Sequence, residues 1–274
     1  MLEQTVTIET RRKTAARRAA IISAAQLGEV STAELSRRFG VTDSTIRRDL
    51  RELASQGAIS RTFGGMTLLG QPAELNVPAK ARLHPVEKRA IGLAAAAHVD
   101  TGDTVILDAG TTVGRLAVAL RYADDLTVIT GSMNALLALH DAPGVEIIVI
   151  GGWLRHTNQG TLGSIAESML SGMTADKVFL GAEGVHPLRG LSCPTPEQAA
   201  LKTLMIANSA RVFVLADASK LGVASFHHWA PLPPNVTLIT DDVPAGFAAE
   251  FQCAAGRVIE IAEHVTEDDV DEAS

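Results

Sequence analysis

Apolar residues recur at two different spacings along this 274-residue chain, and the spacing changes near residue 100. Before it, apolar positions fall three and four apart, the period of helices with one buried stripe. The alanine-rich stretch 14–27 sets Ile21, Ile22 and Ala25 on one face, and Gly28 ends it. Ser31 stands as an N-cap with Glu34 three residues on, the capping-box spacing, and the short helix Thr32–Phe39 points Leu35 and Phe39 inward. Gly40 stops this helix in the left-handed conformation that a tight turn demands. Thr42 caps a further helix. Asp43 sits in its first turn, where negative charge suits the helix dipole, and Ile46, Leu50 and Leu53 face a core. Gly57 ends it, and residues 58–65, AISRTFGG, alternate apolar and polar and close on two glycines, the pattern of a small β wing.

From Asp100 the pattern turns to short β-rich apolar runs alternating with helical ones. Thr104–Leu107, Leu126–Thr130, Glu146–Ile150, Lys177–Leu180, Val212–Ala216 and Val236–Thr240 read as strands. Val113–Leu120, Met133–Leu139, Ser164–Leu170 and Glu197–Ser209 read as helices between them. Continuous apolar strands separated by helices predict a doubly wound, largely parallel α/β domain. Residues 67–84 hold Pro72 and Pro78 with no steady period and read as a linker, and Pro85 starts a helix running to about His98. The expected organisation is a winged helix-turn-helix over 12–66, the linker 67–84, an α/β domain over 85–262, and a disordered acidic tail over 263–274, where Glu267–Glu272 carries five acids in six residues.

The net charge of −7 argues, taken alone, against a nucleic-acid partner, but it hides an asymmetry. The first 66 residues hold 11 Lys and Arg against 7 Asp and Glu, so +4; the remainder holds 13 against 24, so −11. A basic small domain on an acidic large one implies two different partners. No apolar run is long enough to cross a bilayer, no signal peptide precedes the first helix, and Cys193 and Cys253 stand far apart without metal-type spacing. A cytoplasmic protein with free thiols is expected. His227 and His228 lie beside Trp229 in a stretch with Pro231, Pro233 and Pro234 that reads as a loop, and no acidic partner has a metal-ligand spacing. Neither metal nor cofactor is expected.

Two capped helices around a glycine turn, followed by a wing, make a helix-turn-helix whose second helix enters a DNA major groove. Ser44, Thr45, Arg47 and Arg48 are placed for base edges or nearby phosphates; Arg51, Arg61 and the Arg11–Arg18 cluster are placed for the backbone. Ser31 and Thr42, at the two helix starts, complete the DNA-binding set. In the α/β domain, ligands gather at the carboxyl ends of strands. There the chain offers Asp108, Gly110, Thr111 and Thr112, then Ser132, then Gly151 and Gly152, then Glu183, and last Lys220. Glycine and hydroxyl turns feeding a helix N-terminus suit an anion, and Lys220 adds a positive charge. The set fits a small phosphorylated molecule with several hydroxyls.

Residues 31–53, STAELSRRFGVTDSTIRRDLREL, with the wing SRTFGG, resemble the N-terminal domain of DeoR-type bacterial repressors, whose hallmark string T-I-R-R-D-L is matched at Thr45–Leu50. Further motifs follow in that family's order: Glu87-Lys88 with Ile91, DAGTT at 108–112, GG at 151–152, GAEG at 181–184 and ADASK at 216–220. The resemblance implies a repressor of sugar or related catabolic genes, released from an operator by a phosphorylated sugar. It also implies a sensor domain similar in fold to sugar-phosphate isomerases, with Gly110–Thr112 on the phosphate and Lys220 assisting. A homodimer or homotetramer on repeated half-sites is expected. Two departures stand out: Thr130-Gly131-Ser132 lacks the family's asparagine, removing an amide from the ligand rim, and Glu183 replaces the common aspartate. The alternative reading is a sugar-phosphate isomerase or deaminase carrying an added DNA-binding domain.

Overall fold

The computed structural model describes residues 14, 17, 18, 20, 21, 30–55, 59–62, 65–68 and 74–263. The chain divides into two compact units, Met1–Ala73 and Glu74–Ser274.

In the small unit, strand β1 (Val30–Ser31) leads into helix α1 (Thr32–Phe39), and helix α2 (Asp43–Ser55) follows. Gly40 between them has φ +62°, the left-handed turn expected of it. Strands β2 (Ile59–Thr62) and β3 (Gly65–Leu68) form an antiparallel hairpin, and β1 pairs with the far edge of β3. Ile21, Leu35, Ile46, Leu50 and Leu53 form a small buried core. This is a winged helix-turn-helix. Ser31 belongs to β1 rather than to the turn before α1, and the wing runs through Leu68, two residues into the expected linker.

The large unit is built on seven parallel strands: β4 (Thr104–Leu107), β5 (Leu126–Thr130), β6 (Val145–Val149), β9 (Ala175–Gly181), β12 (Ser209–Leu215), β14 (Val236–Thr240) and β15 (Val258–Ile261). Two short strands between β6 and β9 form a separate hairpin, β7 (Trp153–Arg155) and β8 (Gly160–Leu162). A three-stranded antiparallel sheet joins β10 (Val185–His186), β11 (Gly190–Cys193) and β13 (His228–Ala230). The order across the large sheet is β15-β14-β12-β9-β4-β5-β6. The chain winds outward from β4 to β6 and then returns to the other side of β4, so the switch point lies between β4 and β9. A ligand crevice is expected there, outside the strand ends.

Helices cover both faces. Alternate residues of the central strands enter opposite cores, as in Val178 and Leu180 against Phe179, or Val212 and Val214 against Phe213. One core holds Ile91, Val113 and Leu116 from the helices Pro85–Ala96 and Thr111–Ala119. The other holds Leu170, Leu201, Met205 and Phe251 from helices Ser164–Ser171, Pro196–Ala207 and Phe247–Gln252. This double burial is why the central strands read as continuous apolar runs.

Three expectations change. Strand β15 adds a seventh member; as an edge strand with a half-exposed pattern it gives no apolar run. His228–Ala230 is a strand, held by pairing with Gly190–Cys193 across 35 to 39 residues, where the prolines after it suggested a loop. The linker also contracts: residues 74–84 belong to the large unit, and Val77–Ala81 is a short helix capped by Asn76, whose side chain accepts from the Ala79 N–H at 3.0 Å. The expected acidic tail falls, beyond Glu263, outside the described residues.

Candidate functional site

Helix α2 divides cleanly along its length. Ile46, Asp49, Leu50 and Leu53 are buried, whereas Ser44, Arg47, Arg48 and Arg51 are exposed at the same three-and-four spacing. Thr42 is exposed and Thr45 half-buried. Thr42 Oγ1 accepts from the Thr45 N–H at 3.4 Å and lies 2.9 Å from Ser44 Oγ, so three hydroxyls cluster where the helix begins. Ser36 Oγ donates to Asp43 at 2.5 Å and ties α1 to that end. Asp49 is the buried exception on the apolar stripe. Its two oxygens accept from Arg17 Nε at 2.7 Å and Arg18 Nε at 2.9 Å. These two arginines, expected on a DNA backbone, are instead committed to fastening the first helical residues to α2. The Arg61 and Ser31 side chains, and Arg11, Arg12 and Lys13, lie outside what is described.

In the large unit a cavity opens at the switch point. Of the expected effector-site residues, Asp108, Gly110, Thr111, Thr112, Glu183 and Lys220 line it. Ser132, Gly151 and Gly152 do not. Ser132 is buried as the N-cap of helix Met133–Leu139, accepting from the Ala135 N–H at 3.4 Å. Gly151 and Gly152 form the turn after β6; a Cβ on Gly152 would come within 2.4 Å of the Leu162 carbonyl, so this turn is shaped by close backbone approach. Gly131 does reach the cavity, and a Cβ there would strike Thr161 Oγ1. Asn158, in the turn between β7 and β8, brings an amide to the same cavity.

Several lining residues were not foreseen: Lys80, Lys88, Asn158, Gln198 and Lys202 among them. Gln198 and Lys202 had a legible signal, because with Leu201 and Met205 they complete one helical stripe, where a lysine and a glutamine are out of place.

Lys202 pairs with Asp108 and also donates to the Gly181 carbonyl at 2.8 Å, while the Gly181 N–H donates to Asp108 at 3.0 Å. Burial works against the Lys202 ammonium; Asp108 works for it and prevails, holding its pKa above the ordinary lysine value. Lys80 pairs with Glu183 and, at 3.1 Å, with Glu74, which in turn meets Arg155 at 2.5 Å. Lys220 lies 3.9 Å from Glu183. Lys88 donates to the Lys80 and Leu83 carbonyls, each at 2.6 Å, tying down the 74–84 segment. Burial lowers its pKa, with Asp217 opposing and Lys220 adding to the drop. Among lining residues, four lysines (80, 88, 202 and 220) thus face three carboxylates (108, 183 and 217), a surplus that favours an anion.

Gly110 is the N-cap of the Thr111–Ala119 helix and supplies no side-chain cap. Its φ of 164° is extended backbone open to any residue, and a Cβ there would meet nothing within 4 Å. Neither conformation nor packing calls for glycine. The open space above a helix N-terminus is what an anion occupies.

A winged helix-turn-helix joined to an α/β domain with a cationic cavity at its switch point defines a ligand-responsive DNA-binding regulator. Comparison with known families gives the lineage. The DeoR-like helix-turn-helix domain matches residues 17–71 and the DeoR C terminal sensor domain matches residues 83–242. The chain belongs to the DeoR family of transcriptional regulators. Among its relatives are the HTH-type transcriptional repressor GlcR of Bacillus subtilis, 38% identical over 80% of this chain and 84% of that one. The putative aga operon transcriptional repressor of Escherichia coli O157:H7 is 33% identical over 87% and 90%. The uncharacterized HTH-type regulator YulB of Bacillus subtilis is 37% identical over 77% and 82%. Among the described residues, no helix is long and apolar enough to cross a membrane.

Proposed function

We propose that this chain is a cytoplasmic repressor of sugar or related carbon catabolism genes, released from its operator by a phosphorylated sugar or polyol bound in the switch-point cavity. The single observation that carries the effector side is Gly110: an unfilled space over an uncapped helix N-terminus, in a cavity with surplus lysines. The phosphate sits on the Gly110, Thr111 and Thr112 backbone N–H groups, with Lys220 and Lys88 supplying charge. On the DNA side, Ser44, Thr45, Arg47 and Arg48 address base edges or adjacent phosphates, with Thr42, Ser31, Arg51 and Arg61 on the backbone. A homodimer or homotetramer on repeated half-sites gives the operator its length.

The route between the two sites is covalent. The 74–84 segment begins six residues after the wing strand ends at Leu68, and its Lys80, Leu83 and His84 line the cavity. A phosphate competing with Glu183 for Lys80 loosens or re-seats that segment. Such differential binding to two arrangements is what effector control requires. The isomerase alternative needs a free general base. Glu183 is held by Lys80 and Asp108 by Lys202, so neither of these two carboxylates is free for that role, which favours sensing over turnover.

The test is fluorescence anisotropy of an operator fragment with the full chain, titrated with pentose and hexose phosphates. Release by a phosphorylated sugar, without conversion of that sugar, is the expected result. Turnover of any sugar phosphate, abolished in Glu183→Gln, overturns the sensor reading.

A further inference from the structure

Five buried side-chain atoms among the described residues have no hydrogen-bond partner. Glu74 Oε2 and Arg155 NH1 belong to one ion-paired couple, and Arg257 Nε lies elsewhere in the large unit. The remaining two, Asn158 Oδ1 and Gln198 Oε1, are on residues that line the cavity. They come from unrelated elements, the β7–β8 turn and the first turn of the Pro196–Ala207 helix. Both residues are over nine-tenths buried, at 9% and 7% exposure. A buried amide oxygen without a partner is costly to keep. Two of them on residues that line one cavity call for a partner that enters it, reached by rotation of the amide.

We infer that the effector presents hydroxyl groups to Asn158 and Gln198, and that these two amides select among phosphorylated compounds by their hydroxyl pattern. The inference rests on the sensor reading proposed above and assigns the part of the ligand that the lysines do not read. The chemistry is specific. Phosphate oxygens only accept at neutral pH and repel an amide oxygen. A hydroxyl both donates and accepts, so it satisfies an amide in either orientation. The last torsion of Asn and Gln is soft, so each amide can turn toward an arriving hydroxyl at little cost. The cavity therefore splits its work: helix N-terminus and lysines hold the anion common to many metabolites, and two amides read what distinguishes them.

The experiment measures binding to the full chain by calorimetry, using inorganic phosphate, phosphoglycolate (which carries no hydroxyl), and a panel of pentose, hexose and alditol phosphates. It compares wild type with Asn158→Leu and Gln198→Met, near-isosteric changes that remove the amide. The apo variants are expected to melt at or above the wild-type temperature, since an unpartnered polar group is gone. Their affinity for the preferred polyol phosphate falls roughly tenfold or more each, while affinity for inorganic phosphate and phosphoglycolate is unchanged. Should an isosteric variant not fold, Asn158→Ala and Gln198→Ala carry the same expectation. Polyol phosphates bound equally well by variants and wild type overturn the inference and leave the sensor reading standing. So does an equal loss of inorganic phosphate. A wild-type chain that binds none of these compounds overturns both.

Discussion

Both units of this protein hold carboxylates against basic partners, and the two cases differ in what they leave free. In the small unit Asp49 takes up Arg17 and Arg18, and the arginines on the opposite side of α2 stay exposed. Its ion pairs are architectural, and they lie on the buried side of α2, away from the exposed Ser44, Arg47, Arg48 and Arg51. In the large unit Asp108 takes up Lys202 inside the cavity itself, and Glu183 does the same with Lys80. Here the ion pairs themselves line the cavity. A surface reader can be changed one residue at a time without touching the fold. A cavity of compensated charges cannot, because removing one partner strands the other in a poor solvent for charge.

The largest test of this contrast is Lys202→Met. It leaves the Asp108 carboxylate buried without its cation and should cost roughly 3–5 kcal/mol in the large unit, read by urea unfolding. Adding Asp108→Asn should restore most of the loss; if the double variant is no better than the single one, the pair is not the reason. On the small unit, Arg47→Ala and Arg48→Ala should leave stability within about 0.5 kcal/mol yet weaken operator binding. A lost bidentate base contact costs about 1–3 kcal/mol and relaxes sequence preference, whereas a lost phosphate contact weakens all sequences alike and lowers the salt slope by about one. No effect from either variant would misplace the recognition face.

Asp49→Ala sharpens the same comparison from inside the small unit. It frees two part-buried guanidiniums and should cost about 2 kcal/mol, discounted from a fully buried pair because both arginines keep some solvent. DNA affinity should fall with it and return under stabilising conditions. Gly110→Ala is the opposite kind of change in the large unit. Melting temperature should hold or rise slightly, because glycine is not required there. Effector affinity should drop about tenfold or more, since a methyl in a phosphate's place costs roughly 1–3 kcal/mol. Unchanged affinity would move the phosphate elsewhere in the cavity.

The smallest effect concerns the thiols. Burial pushes Cys193 up to about 11, while Cys253 is exposed. The folded state keeps the Cys193 proton where the unfolded chain loses it. The stability this contributes is present below the ordinary thiol range and is lost as pH rises from there through about 11. A thiol reagent at pH 8 should therefore label Cys253 at once and Cys193 only on unfolding.

Local pattern set much of this protein directly. The two short helices, the Gly40 turn, the wing and six of the seven parallel strands are visible in sequence, because each depends on periodicity, caps and turn residues within about a dozen positions. The exposed face of α2 is legible for the same reason: once Ile46, Leu50 and Leu53 are buried, helical geometry alone decides where Arg47, Arg48 and Arg51 point. Six of the nine expected effector-site residues line the cavity; Ser132, Gly151 and Gly152, also at strand ends, follow β5 and β6, farther from the switch point between β4 and β9. What tertiary structure alone decided is which charges meet. Lys202 and Asp108 are 94 residues apart, Lys80 and Glu183 are 103 apart, and Arg17 and Asp49 are 32 apart. The 74–84 segment reads as a linker because its local devices are few, the Asn76 cap and the nearby Lys88; Glu183 and Arg155 hold it from a distance. Periodicity reports which side of an element is buried. It carries no information about which distant side chain supplies the countercharge, and in this protein that pairing shapes the cavity.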